Sequence, residues 1–262
     1  MKLSYPTIIF FITMHVLALV ALLPQFWSWG SILVWAFLSW LTVVPGLSGG
    51  YHRLLTHRSY TVPRWVERIC ATCGALSAEY GPITWVGIHR QHHKYSDTEL
   101  DPHSSSKGFW WSHIGWMLVE VPAEKVAHKF AQDLVKDPYY RWLDKWFLLL
   151  QIPLGVILYN LGGWSFVLWG IPLRMIYVFH LTWFINSACH LWGFRSADTG
   201  DMSTNNRIFG ILSFGEGWHN DHHAYPNSAK VGLRGELDIT WLFIVSLKKL
   251  GLARNVRLPS NI

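Results

Sequence analysis

Histidines in this chain are grouped at spacings that suit metal binding. Eight of the 14 histidines fall within residues 52–57, 89–93 and 219–223, and the last two segments share the pattern His-x-x-His-His. On a helix, positions i, i+3 and i+4 lie on one face, so each triplet directs three imidazole rings to one place. Neutral imidazole is the commonest side-chain metal ligand and suits iron, zinc and copper. The pattern therefore predicts a metal site.

The number of histidines indicates more than one metal ion. A ninth, His190, lies near the end of an apolar stretch. One zinc ion needs about four ligands, so eight or nine imidazoles match two metal ions that keep open positions. Carboxylates near a ligand usually accept a hydrogen bond from the free ring N–H. We predict supporting positions of this kind among Glu79, Asp97, Asp101, Glu216 and Asp221, together with His103. Packed or interfacial roles are the interpretation for His15, His113, His128 and His180.

Composition excludes several classes of protein. Apolar residues make up 51% of the chain and charged residues 15%, against roughly 25% charged in a soluble domain. Disorder, a coiled coil and an ordinary cytosolic fold are therefore disfavoured. The three cysteines exclude a disulfide scaffold.

The charges are confined to two parts of the chain, which predicts membrane topology. Residues 1–50 contain one charged side chain, Lys2, and residues 146–191 contain one, Arg174. A membrane span takes about 20 apolar residues, so we predict four spans at 7–23, 27–47, 146–160 and 165–192. The second hairpin turns at 161–164; an alternative turn at 170–172 would make Arg174 interfacial, and the roles of Arg174 and His180 stay open. The bias of Lys and Arg toward the cytoplasm places residues 51–145 and 193–262, and both termini, on that side.

These elements predict an all-α membrane protein with one domain over residues 1–262. Four transmembrane helices form two hairpins, and a cytoplasmic helical cap carries the histidine-rich site for two metal ions. Residues 108–120 and 239–250 are apolar but too short to cross, so we expect helices on the bilayer surface. Residues 66–88 are weakly apolar and interrupted, which favours a shallow or re-entrant helical stretch.

At the histidine clusters the sequence resembles the integral-membrane fatty acyl desaturases, most closely the acyl-CoA and acyl-lipid delta-9 type of bacteria, cyanobacteria and animals. The similarity covers residues 46–258 and is carried by GGYHRLLTHRSY, HRQHHKYSDTELDPH, GFWWSHIGWML, NSACHLWG and GEGWHNDHHAYP. The resemblance implies an oxygen-dependent enzyme that uses two iron ions to place a cis double bond in a saturated acyl chain. It implies that the metal ligands are His52, His57, His89, His92, His93, His190, His219, His222 and His223, with no catalytic residue beyond them. A water-mediated ligand maps to Asn186, four residues before His190 and hence on the same helix face.

The resemblance also implies the partners. The substrate is a fatty acyl chain on coenzyme A, a lipid or acyl-carrier protein, met in the membrane and without nucleic acid. Because no haem-binding domain is attached, electrons come from a separate protein, for which ferredoxin is the expectation. Three alternatives remain open at this point: a fatty acyl hydroxylase or related histidine-rich oxidase, a zinc hydrolase, and a membrane metal transporter. The chain lacks the HExxH motif of many zinc hydrolases.

Overall fold

The computed structural model describes residues 2–120 and 123–259, and within these ranges the protein is helical and without β-strands. The α-helices are α1 (Tyr5–Ala21), α2 (Trp29–Leu41), α3 (Arg64–Ala75), α4 (Pro82–Tyr95), α5 (Phe109–His113), α6 (Ala123–Phe130), α7 (Gln132–Val135), α8 (Pro138–Trp146), α9 (Gln151–Leu168), α10 (Arg174–Asn186), α11 (Ala188–Leu191), α12 (Arg207–Leu212), α13 (His219–Ala224) and α14 (Ile239–Lys249). Two π-helical segments, Thr42–Thr56 and Trp169–Leu173, continue α2 and join α9 to α10. The predicted all-helical class is confirmed.

The apolar helices form one half of the molecule. The helical stretches Trp29–Thr56 and Pro138–Leu191 are long and apolar enough to cross a membrane, and Tyr5–Ala21 is a shorter apolar helix. Helices α1 and α2 each pack against both α9 and α10. Their outer faces leave large apolar side chains uncovered, including Leu33 at 69% and Leu161 at 70% exposure. An extended apolar surface of this kind is typical of helices that face lipid.

A glycine pair interrupts the long stretch Pro138–Leu191. Gly162 (φ −160°, ψ 20°) and Gly163 (φ 64°, ψ −156°) are non-helical. Side chains rarely tolerate the backbone angles of Gly163. The break lies at the predicted turn, whereas residues 170–172 are helical, so the alternative turn is wrong. Arg174 is fully buried.

Hydropathy predicted that the second apolar helix ends at residue 47, but the helix extends further. It continues to Thr56 as a π-helix, which carries His52 and ends directly before His57. Glycines let this segment approach α3 closely, because a Cβ on Gly46 would lie 2.7 Å from the carbonyl carbon of Cys73. The π-helical segment is buried throughout and forms the centre of the fold.

The charged parts of the chain pack around this π-helical segment. Helices α3, α4 and α14 contact it directly, and residues 66–88 resolve into α3 and α4 joined by a turn. Residues 239–250 are helical as predicted, in α14. We predicted one helix over residues 108–120. The prediction is wrong after His113, where α5 ends. There a short 3₁₀ turn, Gly115–Met117, leads to an extended segment in which Leu118–Glu120 pairs with the N-terminus.

Candidate metal centre

Four helical segments carry the nine histidines to one place. The π-helical segment carries His52 and ends directly before His57, α4 and α13 carry the two His-x-x-His-His triplets, and α11 carries His190. Five residues of an α-helix would turn the two rings of the first cluster about 140° apart. In a π-helix, residues five apart lie on one face. The ring centroids of His52 and His57 are accordingly 4.9 Å apart.

The rings form two groups. Within each group the potential ligand atoms lie within 4.8 Å of one another. The first group contains His52, His57, His89, His93 and His222, and the second contains His92, His190, His219 and His223. Each triplet is divided between the groups: His92 is separated from His89 and His93, and His222 is separated from His219 and His223. The triplets therefore do not each direct three rings to one group, as the helical spacing predicted. The structure thus brings together all nine residues that the resemblance implied.

The ring nitrogens that face inward are close to one another. The Nε2 atoms of His52 and His222 are 3.0 Å apart, those of His190 and His219 are 3.0 Å apart, and those of His92 and His223 are 3.4 Å apart. The outward Nδ1 atoms meet carboxylates: His92 with Asp101 at 2.9 Å, His190 with Asp97 at 2.9 Å, His223 with Asp201 at 2.7 Å and His52 with Glu216 at 2.5 Å.

These contacts determine where the ring protons lie. A carboxylate accepts, so the Nδ1 atom opposite carries the proton and Nε2 presents a lone pair. With the proton on Nδ1 of both rings, the Nε2 lone pairs of His92 and His223 face each other at 3.4 Å. A cation between the rings removes the repulsion. The donor set therefore fits metal ions, and imidazole nitrogen suits iron.

Burial keeps most of these rings in the form that binds metal. It lowers the pKa of His89, His93, His219 and His222 well below the usual value, and the pKa of His223 to about 4. Burial alone would also lower the pKa of His92, but the facing Asp101 carboxylate raises it above the usual value. Burial alone would raise the pKa of the Asp101 and Glu216 carboxyls, but the facing histidines hold it below the usual range. Neutral imidazoles held by charged carboxylates are the arrangement that metal ligation requires.

The supporting residues differ in part from those expected. Asp97, Asp101 and Glu216 contact ligand rings, and His103 packs on His92 with ring centroids 4.4 Å apart. Asp221 instead accepts a hydrogen bond from the hydroxyl of Ser196. The carboxylate that holds His223 is Asp201, which sequence reasoning missed. It lies 22 positions before its partner, and no local spacing signals that contact.

Asn186 also differs from its predicted setting. Helix α10 ends at this residue, and Ser187 interrupts the chain before α11 carries His190. The two residues therefore do not share a continuous helix. The side chain of Asn186 nevertheless lines the space next to the first histidine group.

Three of the remaining histidines form a separate chain of contacts. The Nε2 atoms of His15 and His180 are 3.1 Å apart, and His180 Nδ1 lies 3.1 Å from His113 Nε2. The chain ends on the hydroxyl of Ser187, 3.0 Å from His113. It joins α1, α10 and α5, which agrees with packed rather than ligating roles.

An apolar cavity of about 310 Å³ reaches the first histidine group. It is lined by residues of α1, α4, α10 and the segment before α9, including Phe10, Ile88, His89, Phe147, Phe179 and Asn186. A second cavity of about 60 Å³ has Val43, Leu47 and Ile185 in its wall. Both cavities share Trp85, His89, Thr182 and Asn186, so they adjoin at the histidines.

Glu79 lies in the wall of the larger cavity rather than beside a ligand ring. Burial raises the pKa of its carboxyl to about 8, although hydrogen bonds with Thr182 and Trp85 oppose this shift. Its Oε1 atom has no hydrogen-bond partner among the described residues. The carboxyl is therefore uncharged at neutral pH. It joins Thr182 to Trp85, which both line the place where the two cavities adjoin.

The model of the family described as fatty acid desaturase matches residues 27–231. The chain belongs to this family. An sn-1 stearoyl-lipid 9-desaturase of Anabaena variabilis is 47% identical and covers 99% of this chain and 96% of its own length. An sn-2 palmitoyl-lipid 9-desaturase of Nostoc sp. is 48% identical, with 97% and 90% covered. An icosanoyl-CoA 5-desaturase of Limnanthes douglasii is 42% identical, with 93% and 70% covered.

Membership confirms the resemblance and makes this desaturase an oxidoreductase that unsaturates fatty acyl chains. The long apolar helices agree with a membrane protein, and the clustered histidines agree with a metal centre.

Proposed function

We propose that this desaturase places a cis double bond at position 9 of a saturated acyl chain carried on a membrane lipid, with two iron ions and O2. The first iron is held by His52, His57, His89, His93 and His222, the second by His92, His190, His219 and His223, and Asn186 contributes through water. The observation that carries the proposal is that inward-facing lone pairs converge beside an apolar cavity. Position 9 and the lipid carrier are supported by the names of the cyanobacterial relatives.

The chain's own contribution is positioning. When bound, iron supplies with O2 the oxidising power that an unactivated methylene requires. Trp85 stacks on His89 with ring centroids 5.0 Å apart, and Thr182 faces it through the carboxyl of Glu79. Trp85 and Thr182 line both cavities. An acyl chain that passes from one cavity to the other beside them exposes one pair of carbons to the histidines, and orientation of this kind accounts for a large part of catalysis.

The remaining features follow the sequence predictions. We propose four spans: α1, α2, the part of α9 before Gly162, and the helix from Trp164 through α10. Both termini and the metal site then face the cytoplasm. Ferredoxin delivers the electrons, which the net charge of +6 supports, because a basic protein attracts an acidic carrier.

Expression in a host without its own desaturase tests the proposal. We expect cellular lipids to gain fatty acids with a double bond at position 9, located by mass spectrometry of the esters. Purified protein should hold two iron ions per chain, and chelation should abolish activity that iron, but not zinc, restores. Hydroxylated products, a single bound ion, or metal flux without altered lipids would each overturn it.

A further inference from the structure

We infer that the larger cavity is entered sideways from the bilayer, between Pro6 and Leu148, by the acyl chain of a glycerolipid whose head group stays at the membrane surface. The inference rests on the proposed function, because it describes how the substrate reaches that site.

The position of the opening follows from exposure. Among the residues that line the larger cavity, Pro6 and Leu148 are the exposed ones, and Leu148 is 43% exposed. Pro6 lies in the first turn of α1, and Leu148 lies in the 3₁₀ turn that leads into α9. Both helices are apolar and have uncovered outer faces. The opening therefore lies where two lipid-facing helices begin.

On the side of the N-terminus, main-chain pairing covers the cavity in the described part of the chain. The N–H of Ser4 donates to the carbonyl of Leu118 at 2.9 Å, and the N–H of Glu120 donates to the carbonyl of Lys2 at 2.7 Å. The ammonium of Lys2 also donates to the Glu120 carboxylate at 2.9 Å. Beneath this pairing, Trp116 and Met117 are 6% and 8% exposed and form part of the cavity wall. A carrier arriving from water would meet this closed segment.

The lining of the cavity offers no site for a phosphate group. Proteins bind phosphate groups with Arg and Lys, and neither residue type lines this cavity in the described part of the chain. Lys2 is already paired with a carboxylate. Tyr5 begins α1 and Trp146 precedes α9, and both side chains are exposed. Aromatic rings in such positions are typical of the membrane–water boundary. An ester head group at this level needs no basic pocket.

This route has a consequence for the position of the double bond. If the ester stays at the opening, the carbons nearest the ester fill the larger cavity and the methyl end extends toward the smaller one. The length of the larger cavity then determines how far from the ester the double bond is placed. The product leaves through the same opening without crossing water.

A blocking variant with a matched control tests the opening. We expect Leu148→Trp to lower lipid desaturation about tenfold or more, since the larger ring narrows the entrance. Its neighbour Leu149 is 49% exposed and does not line the cavity, so Leu149→Trp should retain activity. Both variants should elute as folded protein with full iron content. Equal activity of the two variants would overturn the inference.

A carrier experiment separates this inference from the proposed function. The holoenzyme is reconstituted with reduced ferredoxin in vesicles of total polar lipid whose stearoyl chains contain carbon-13. Parallel vesicles of unlabelled lipid receive labelled stearoyl-CoA or labelled stearoyl-acyl-carrier protein. We expect labelled unsaturated product from the lipid alone. Preference for either soluble carrier overturns lateral entry but leaves desaturation standing, whereas no product from any carrier overturns the proposed function and the inference with it.

Discussion

At the scale of single residues, four carboxylates set the protonation and orientation of the histidine rings. They contact the outer nitrogens of these rings. Asp97, Asp101, Asp201 and Glu216 each contact one ring. A carboxylate at Nδ1 sets the tautomer and the orientation of the ring, and its loss commonly lowers metal affinity or activity by about 10–100-fold. The supporting residues are therefore nearly as important as the ligands.

Asp201→Asn tests this role at the residue that sequence reasoning missed. The amide can no longer fix the proton on His223 as a carboxylate does, so we expect about a 10–100-fold loss of activity with weaker iron retention. Asp198→Asn is the matched control, because the Asp198 side chain is 98% exposed three positions earlier. Iron content after dialysis and initial rates provide the measurement. Equal iron retention by the two variants would contradict the assigned role.

The raised pKa of Glu79 predicts that the activity depends on pH. Because the pKa of the buried carboxyl is about 8 against an ordinary 4.5, it is neutral at pH 7 and becomes charged only above about pH 8. A charge in the apolar cavity opposes entry of an acyl chain. We therefore expect wild-type activity to fall as the pH rises through 8.

The variant Glu79→Gln isolates this effect. It retains hydrogen-bonding groups toward Thr182 and Trp85 but cannot ionise, so its rate should stay level over the same alkaline range. The folded-state pKa is raised, so the free energy of unfolding of the wild type should also fall as the pH rises from about 4.5 to 8, but that of the variant should not. Matching pH–rate profiles would rule out Glu79 as the titrating group.

Two departures from the regular α-helix organise the molecule at the scale of elements. The π-helical segment Thr42–Thr56 aligns His52 with His57, which an α-helix would separate. The break at Gly162–Gly163 divides one long apolar stretch into two helices. Hydropathy reports neither geometry directly, since it registers only which residues are apolar.

Gly163→Ala tests the break. Space is available for a Cβ at this position, because nothing lies within 4 Å, so the penalty comes from the backbone angles alone. We expect a loss of about 1–3 kcal/mol in folding stability, measured as a lower melting temperature in detergent. In the same helix, Gly155 has ordinary room for a Cβ, and Gly155→Ala should be neutral or stabilising by up to about 1 kcal/mol. Equal melting temperatures would refute the strain.

At the scale of the whole molecule, one buried arginine ties the apolar helices to the cavity. Arg174 donates to the carbonyls of Gly170 at 2.8 Å and Leu76 at 2.6 Å, and to the side chain of Gln151 at 3.0 Å. Leu76 begins the turn that carries Glu79. The guanidinium therefore connects α9, α10 and the wall of the cavity.

Arg174→Met removes the guanidinium donors from all three acceptors, although the Leu76 carbonyl keeps the side-chain amide of Gln151 as a donor at 3.1 Å. An orphaned buried acceptor costs about 1–3 kcal/mol, so we expect a lower melting temperature and a lower yield of folded protein. Arg141 is exposed, and in the described part of the chain its guanidinium donates to the carbonyls of Val135 and Lys136. Arg141→Met should therefore change stability by less than about 0.5 kcal/mol. A methionine at 174 that is equally harmless would show that the buried network contributes little.

The sequence by itself determined the helical class, the apolar stretches, the break at residues 161–164 and the nine histidines. It could do so because hydropathy, glycine chemistry and the i, i+3, i+4 spacing are local properties of the chain. The motifs shared with the family predicted what these local properties could not, including the reaction.

Only the tertiary structure decided how the histidines divide and what surrounds them. The two groups draw rings from helices far apart in sequence, and Asp201 reaches His223 through the loop before α13. Glu79 lines the cavity, and Asp221 accepts a hydrogen bond from Ser196. Arg174 donates to three acceptors from three parts of the chain. Such contacts depend on how helices pack in space, and the order of residues along the chain does not specify that packing locally.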